Sequence, residues 1–257
     1  LAARVALFQN KMTDAANYAE AVLANSSFSL ASTAMDFSKN WVAGSSSPEI
    51  IFAYVNNSRA SSPLNFTLYV NDTDGSWNYA PSDWCYSSLF ADDNTLSRKG
   101  DVRLKATFTS QDANRVIKYP NGTYQLAETS DYTCTPVVIS RISEMYLVKA
   151  EALGKTNGAA ALVEYMKKRY TTAPSEAAIK ALSDKEYQTL ILDERRREFY
   201  AEGMRWQDIK RTNRLELLET LDGRTYLMYY PIPQDEIDMA GTVAYPQNPG
   251  YAGYTGN

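Results

Sequence analysis

Three glutamates, Glu194, Glu198 and Glu202, follow one another at intervals of four residues in the segment LDERRREFYAEGMRWQDIKR. On an α-helix this spacing places the carboxylates along one stripe, where a neighbouring pair could act as acid and base in hydrolysis. Four arginines are interleaved with them: Arg195, Arg196, Arg197 and Arg205. Guanidinium groups pair with carboxylates and lower their pKa, whereas a general acid needs a raised pKa. We therefore expect a buried or half-buried ion network that holds adjacent helices together, rather than a catalytic pair.

The sequence contains no histidine among its 257 residues. This excludes Ser-His-Asp triads, Cys-His pairs and His-ligated metal centres within the chain. Cys85 and Cys134 are the only cysteines, and they could form one disulfide or remain two buried thiols. With 26 basic and 30 acidic residues the net charge is −4, which argues against non-specific nucleic-acid binding. We predict no cofactor, no metal site and no catalytic residue.

Aromatic residues are concentrated in a polar stretch rich in Asn, Asp and Ser, between positions 59 and 86. An aromatic ring can cover the apolar C–H face of a sugar, while Asn, Asp and Arg side chains pair with its hydroxyl groups. The candidate ligand-binding residues are Arg59, Tyr69, Trp77, Asn78, Tyr79, Trp84 and Tyr86. The alternative is that the rings fill a small core beneath a loop. For Trp84 we favour this alternative, because Ser82 could cap a short helix that turns Trp84, Leu89 and Phe90 inward.

Two helical blocks flank this stretch. Residues 1–9 and the alanine-rich face of residues 15–23 predict a helical hairpin with a turn at Asn10 and Lys11, and Thr13 or Asp14 as the second helix's cap. Residues 141–166 predict two helices with Gly154 and Gly158 at the turn between them. Ser183 and Glu186 form a capping-box pattern that opens a helix to Glu202, followed by a helix over 205–214.

The sequence of residues 31–137 lacks the helical pattern of the two flanking blocks. Short extended segments are predicted at 49–55, 102–108, 115–119 and 136–139 from their β-branched and aromatic content. Pro63, Gly75 and Pro81 interrupt any helix between them. A loop region of this length within a folded protein is usually functional or disordered, and the aromatic density favours a function.

Several motifs in this order resemble the SusD/RagB family of outer-membrane nutrient-binding lipoproteins. They are RISEMYLVKAEAL at 141–153, the Glu/Arg segment at 192–211, YPIPQDEI at 230–237 and QNPGY at 247–251. The family pattern in the second motif is matched by Glu194, Arg195, Glu198, Glu202, Gly203, Arg205, Asp208 and Arg211. Residues 1–25 also look like the family's tetratricopeptide pair, and Asp101 and Arg103 like middle-region landmarks.

The resemblance implies a mainly α fold with tetratricopeptide-like helical hairpins packed against an irregular, loop-rich region with short β-strands. It implies one domain over 1–257, with a helix pair at 1–30, a loop-rich ligand-binding region at 31–137 and a C-terminal helical region with an extended tail at 138–257. Family members also carry a signal, a lipid-attachment cysteine and N-terminal helices, so we expect the chain to be a fragment.

The function implied by the resemblance is non-catalytic capture of oligosaccharides on the outer face of the outer membrane. The glycan would pass to a SusC-like TonB-dependent transporter, and a lipid anchor absent from this chain would provide the only membrane attachment. Two alternatives remain open. The nearer one is a helical-repeat adaptor that binds peptide or protein, and the other is a glycoside hydrolase with two carboxylates.

Overall fold

The computed structural model describes residues 1–42, 47–55, 81–108, 116–118, 135–218, 221–240 and 246–252. Within these ranges the protein is mainly α-helical, as predicted. The helices are α1 (Ala2–Phe8), α2 (Met12–Leu23), α3 (Ala34–Ser38), α4 (Val102–Thr107), α5 (Ile142–Arg169), α6 (Glu176–Lys180), α7 (Asp184–Glu198), α8 (Arg205–Thr212) and α9 (Gln234–Met239). The strands are β1 (Ile50–Tyr54), β2 (Lys99–Asp101), β3 (Val137–Arg141) and β4 (Tyr170–Thr172).

The chain divides into two compact units, Leu1–Glu202 and Gly203–Asn257. The first unit contains α1 to α7 and all four of these strands, and the second contains α8 and α9. None of the helices in the described ranges is long and apolar enough to cross a membrane.

The first unit begins with the predicted helical hairpin. Asn10 adopts a left-handed backbone conformation (φ 57°) between α1 and α2, which lets the chain reverse direction. The predicted cap at Thr13 or Asp14 is wrong, because α2 begins at Met12 and Lys11 caps it without a side-chain hydrogen bond. Small alanines on α2 allow α1, α2 and the start of α5 to share one core, whose buried members are Ala3, Ala6, Leu7, Ala15, Ala19, Ile142, Met145 and Val148.

Helix α5 consists of two helical halves that meet at Gly154. This glycine has φ 66° and ψ 176°, a conformation that side chains with a Cβ avoid, so the predicted break is confirmed there. The prediction that places Gly158 at the same turn is wrong, because Gly158 lies inside the second helical half. It is buried against the first half, where a Cβ atom would stand 2.2 Å from the carbonyl oxygen of Ala150.

Helix α7 starts as predicted but ends early. Ser183 and Glu186 form the full capping box, in which each side chain bonds to the other residue's backbone. The helix ends at Glu198 instead of Glu202, and Ala201 is left-handed (φ 63°). The carbonyl of Glu198 accepts hydrogen bonds from Lys118 Nζ and Arg141 Nη2, so two cations satisfy the end of the helix.

Two small antiparallel sheets join distant segments of the first unit. Strand β1 pairs with β3, with Ile50 opposite Arg141, and the register is irregular along the pair. Strand β2 pairs with β4, with Asp101 opposite Tyr170. These confirm the predicted strands near 49–55 and 136–139.

The prediction of an extended segment over 102–108 is wrong. Asp101 caps helix α4 by accepting a hydrogen bond from the backbone N–H of Arg103, which favours a helix over the strand suggested by the flanking residues. Phe108, directly after the helix, forms a β-bridge with Val116. Val116 therefore agrees with the extended segment predicted at 115–119, of which residues 115 and 119 lie outside the described residues.

In the second unit, residues 247–251 pack on residues 229–232. The side-chain amide of Gln247 accepts from the N–H of Ile232 (2.7 Å) and donates to its carbonyl (2.9 Å). Tyr251 donates to the carbonyl of Tyr229 (2.7 Å). Helix α9 begins directly after residues 229–232, and Pro233 occupies its N-cap position.

Replacing Gly158 tests the close approach of the two halves of α5. We expect Gly158→Ala to lower the free energy of unfolding by about 1–3 kcal/mol, because the added methyl group must displace backbone atoms of Ala150. Urea unfolding followed by circular dichroism measures this. Asn157→Ala, at the exposed neighbouring position, is the control and should change stability by less than about 0.5 kcal/mol.

Candidate functional site

The predicted ligand-binding residues fall in two groups. Trp84 and Tyr86 belong to the described part of the chain, whereas the remaining five lie outside the described residues: Arg59, Tyr69, Trp77, Asn78 and Tyr79. The described residues on either side of segment 56–80 are therefore the part of the site whose geometry is known.

Trp84 begins a π-helical turn, Cys85–Leu89, and lies on its solvent side. Its side chain is 38% exposed, and the guanidinium carbon of Arg196 stands 4.3 Å from the centre of its ring system. Leu89 and Phe90 are buried, as predicted, but the inward packing favoured for Trp84 is wrong. The wide turn places Cys85 and Leu89 against the core and leaves Trp84 facing solvent beside an arginine.

Unlike Trp84, Tyr86 packs against other aromatic side chains. Its ring is half-buried, and its centre lies 5.1 Å from that of Phe108. Phe108 also contacts Phe90 and Tyr200 edge-on, which makes Tyr86 the outer member of an aromatic cluster. Tyr86 follows Trp84 by two residues in the sequence. The free thiol of Cys85 is buried in the same region.

Sequence reasoning missed an exposed aromatic pair on β1. Phe52 and Tyr54 are 44% and 61% exposed, and their ring centres are 5.1 Å apart. Residues two apart in a strand project from the same face, so the alternation itself was a usable signal. β1 leads into segment 56–80, so exposed aromatic rings occur in the chain both before that segment and, at Trp84, after it.

Glu198 is the centre of a buried charge network and not part of this surface. Its Oε1 accepts hydrogen bonds from Arg141 Nη1 (2.6 Å) and Arg169 Nη2 (2.9 Å). Its Oε2 accepts from Tyr165 (2.8 Å), Arg169 Nε (2.9 Å) and Arg103 Nη1 (3.3 Å). We define the buried charge network as Glu49, Asp101, Arg103, Lys118, Arg141, Arg169, Glu194, Arg197, Glu198 and Glu202.

Glu49 connects the network to the segment before β1. Its Oε1 accepts from Arg169 Nη2 (2.7 Å) and from the backbone N–H of Ala31 (2.7 Å). Its Oε2 accepts from Asn40 Nδ2 (3.0 Å) and Arg141 Nη1 (3.2 Å). A single carboxylate thus holds together three segments that are far apart in the sequence.

Arg103 connects the network to α4. It forms a two-point pair with Asp101, Nε to Oδ1 at 2.9 Å and Nη2 to Oδ2 at 2.7 Å, and donates to Glu194 Oε2 at 2.9 Å. Tyr170 donates to the other oxygen of Glu194 (2.6 Å). Of the interleaved arginines, Arg197 pairs with Glu194 (2.9 Å), while the cations that bind Glu198 come from distant segments.

These contacts exclude Glu194 and Glu198 as catalytic acids. Burial alone would raise the pKa of Glu198, but the positive charges of Arg169 and Arg141, with hydrogen bonds, hold that pKa well below its ordinary value. The pKa of Glu194 is also lowered, against the effect of burial, by the charges of Arg103 and Arg197. The predicted ion network is confirmed, and the carboxylates of Glu194 and Glu198 remain ionised and are buried away from any substrate.

Lys118 is fully buried at the edge of the network. Its ammonium group donates to the carbonyls of Glu198 (3.1 Å) and Tyr200 (3.0 Å) and to Glu202 Oε1 (2.8 Å). It also lies 4.5 Å from the ring centre of Trp41, which is buried. Burial lowers the pKa of Lys118 from 10.5 to about 8, in spite of the negative charge of Glu202.

Comparison with known proteins identifies the family. The model of the SusD family (SusD/RagB) matches residues 73–224, which is more than half of the chain. The chain belongs to the SusD family. The match includes Trp84, helix α4 and most of the buried charge network.

Relatives of the chain include both curated and solved proteins. SusD-like protein P38 of Formosa agariphila is 30% identical over 142 residues, which are 50% of this chain and 27% of that protein. Surface glycan-binding protein A from Bacteroides thetaiotaomicron has 21% identity and a TM-score of 0.62, with 97% of this chain and 62% of that chain covered. A laminarin-binding SusD-like protein has 19% identity and a TM-score of 0.61, with 97% and 61% covered.

The chain is shorter than these relatives. It spans 27% of the curated relative and 43% and 58% of two further solved SusD-like proteins. At these low identities the solved structures establish the fold, which is that of the SusD superfamily.

Glu198→Gln tests the structural role of the network. The amide cannot neutralise the arginines around it, so we expect a loss of about 3–5 kcal/mol in the free energy of unfolding. Urea unfolding of both proteins measures the loss. The control is Glu176→Gln, which breaks an exposed pair with Lys180 and should cost less than about 1 kcal/mol. A folded Glu198→Gln protein of unchanged stability that had lost ligand binding would contradict the structural role.

The lowered pKa of Lys118 predicts that the free energy of unfolding rises with pH. Below pH 8 the lysine is charged in both the folded and the unfolded chain, and the cost of burying that charge is fully present. Between its folded pKa of about 8 and its ordinary value, folding releases a proton, so a higher pH favours the folded state.

We expect the stability difference between the wild type and Lys118→Met to shift in favour of the wild type by about 1–2 kcal/mol from pH 7.5 to 9.5. Denaturant unfolding at several pH values measures this shift. Parallel curves for the two proteins would show that Lys118 does not titrate in this range.

Proposed function

We propose that this protein binds oligosaccharides at the cell surface without catalysis and delivers them to a SusC-like TonB-dependent transporter of the outer membrane. The observation that carries the proposal is the exposed Trp84 with Arg196 stacked beside it. An exposed indole offers an apolar plate to the C–H face of a sugar ring, and a neighbouring guanidinium group can donate to its hydroxyls. Membership of the SusD family supports the same function, since related proteins include one named as surface glycan-binding and one named as laminarin-binding.

The proposed ligand surface comprises the aromatic and polar residues of region 31–137. Trp84 and Tyr86 form its described part, and Phe52 and Tyr54 join the predicted set because both rings face solvent. Arg59, Tyr69, Trp77, Asn78 and Tyr79 complete it within the same proposal. The whole chain acts as one domain in this proposal, with the helical regions 1–30 and 138–257 holding the loop-rich region in place.

The buried charge network supports a non-catalytic role. Two-carboxylate hydrolysis needs one carboxyl group that holds a proton near neutral pH and reaches the glycosidic oxygen. The carboxylates spaced for such a role, Glu194 and Glu198, have lowered pKa values and are closed to solvent. They stabilise the scaffold, and the aromatic surface is the part of the protein that we propose binds the ligand.

Binding to a shallow aromatic surface should be weak. A shallow surface buries little apolar area, and the polar groups of the ligand must lose water, so we expect dissociation constants in the micromolar to millimolar range. Weak binding also allows rapid release, which a relay to a transporter requires. Attachment to the outer membrane through a lipid anchor is part of the proposal.

Substitution of the tryptophans tests the ligand surface. We expect native gels cast with laminarin and other soluble polysaccharides to retard the wild-type protein, and Trp77→Ala or Trp84→Ala to weaken retardation by about tenfold in apparent affinity. Because Trp84 is exposed, its replacement should leave the circular dichroism spectrum and melting temperature unchanged. The control is Tyr18→Ala, which removes a 48% exposed aromatic ring from α2, outside the proposed surface.

Three outcomes would contradict the proposal. Retardation unaffected by either tryptophan would place the ligand elsewhere. Capture of peptides but of no polysaccharide would favour the peptide-binding adaptor. Reducing sugar released over long incubation would favour a hydrolase.

A further inference from the structure

A cavity of about 540 Å³ lies in the first unit between the turn at residues 93–98 and one face of α7. This volume is within the range of ~300–1,000 Å³ that small-molecule sites occupy. None of the predicted ligand-binding residues is among the described residues that line it. Among the described residues, the cavity and the aromatic surface therefore share no residue, and each can be tested by substitutions that are not part of the other.

The first wall of the cavity is a tight turn with a fixed shape. Asp93 and Arg98 exchange backbone hydrogen bonds of 2.7 and 2.8 Å. The side-chain Oδ1 of Asp93 also accepts from the N–H groups of Thr95 (2.9 Å) and Leu96 (3.2 Å). The turn is closed by four hydrogen bonds, so its lining groups keep their positions without a ligand.

The floor of the cavity is formed by two arginines whose side chains are also fixed by hydrogen bonds. Arg98 and Arg197 are buried there, at 4% and 5% exposure. Arg98 Nη1 donates to the hydroxyl of Tyr170 (3.2 Å), and Arg197 donates to the carbonyl of Leu89 and to Glu194 Oε1 (2.9 Å). A site whose groups are held in this way loses little conformational entropy on binding.

The lining combines balanced charge with apolar area. Three carboxylates and three cations line the cavity, so their formal charges cancel: Asp93, Glu186, Asp193, Arg98, Lys185 and Arg197. Leu96 and Leu190 add apolar surface, and Thr189 adds a hydroxyl group. A charged ligand therefore meets no net attraction, whereas a molecule with many hydroxyls finds both acceptors and donors.

We propose that this cavity binds a neutral, hydroxyl-rich molecule the size of one or two sugar rings. Each hydroxyl can donate to a carboxylate such as Asp93 and accept from a cation such as Lys185 at the rim. The C–H groups of the ring pack on Leu96 and Leu190. Without an aromatic plate among its described lining residues, the site binds more weakly than the aromatic surface and adds avidity for a long chain that reaches both.

An NMR titration tests this site directly. Glucose, galactose, mannose and laminaribiose are each added to the ¹⁵N-labelled protein, and backbone amide shifts of Thr95, Leu96 and Thr189 are followed. We expect at least one of these sugars to shift all three amides in a saturable manner. Thr189→Trp, which fills the cavity, should weaken binding by at least about tenfold, whereas Thr189→Ala at the same position leaves the cavity open and should retain it.

Two results would overturn the proposal. One is that none of the four sugars shifts these amides. The other is that the zwitterionic dipeptide alanyl-alanine shifts them at lower concentration than any sugar, which would assign the cavity to peptides. Trp84→Ala separates the two sites, because it should leave these shifts unchanged while it weakens retardation in polysaccharide gels.

Discussion

The carboxylate of Glu198 accepts five hydrogen bonds in a place closed to solvent. A buried charge is very costly unless it is paired, so each arginine that surrounds Glu198 must stay where it is. Arg103 lies in α4, whereas Arg141 and Arg169 lie at the two ends of α5. Glu49 accepts from the same nitrogen atoms of Arg141 and Arg169 that bind Glu198 Oε1. The native structure of the first unit therefore requires all of these segments to be in contact at the same time.

The network explains why its carboxylates stabilise the fold while binding is proposed for other side chains. It contains five carboxylates and five cations, so its formal charges balance. Glu194 and Glu198 cannot supply a proton near neutral pH, since the surrounding charges hold both carboxylates ionised. Recognition is left to side chains on short elements at the surface, such as the π-helical turn that exposes Trp84 and the strand that exposes Phe52 and Tyr54.

Much of the helical scaffold could be predicted from local patterns. The capping box at Ser183, the break at Gly154 and the alanine face of α2 depend on residues close together in the chain, and all three are present. Predictions failed where a distant partner decided the outcome. Helix α7 stops at Glu198 because Lys118 and Arg141 take its last carbonyl, and no pattern within residues 184–202 contains that information.

For the candidate site, the sequence by itself determined the kind of chemistry available. The absence of histidine, the abundance of aromatic residues and the glutamates set among arginines pointed to binding over catalysis. Only the tertiary structure decided which groups meet. Arg169 and Ala31 are 138 residues apart and share a hydrogen bond, Trp84 faces solvent beside Arg196, and the cavity beside α7 unites a turn with a helix nearly a hundred residues later. Residue type and spacing specify local conformation, but burial and pairing depend on contacts between segments that only the folded chain brings together.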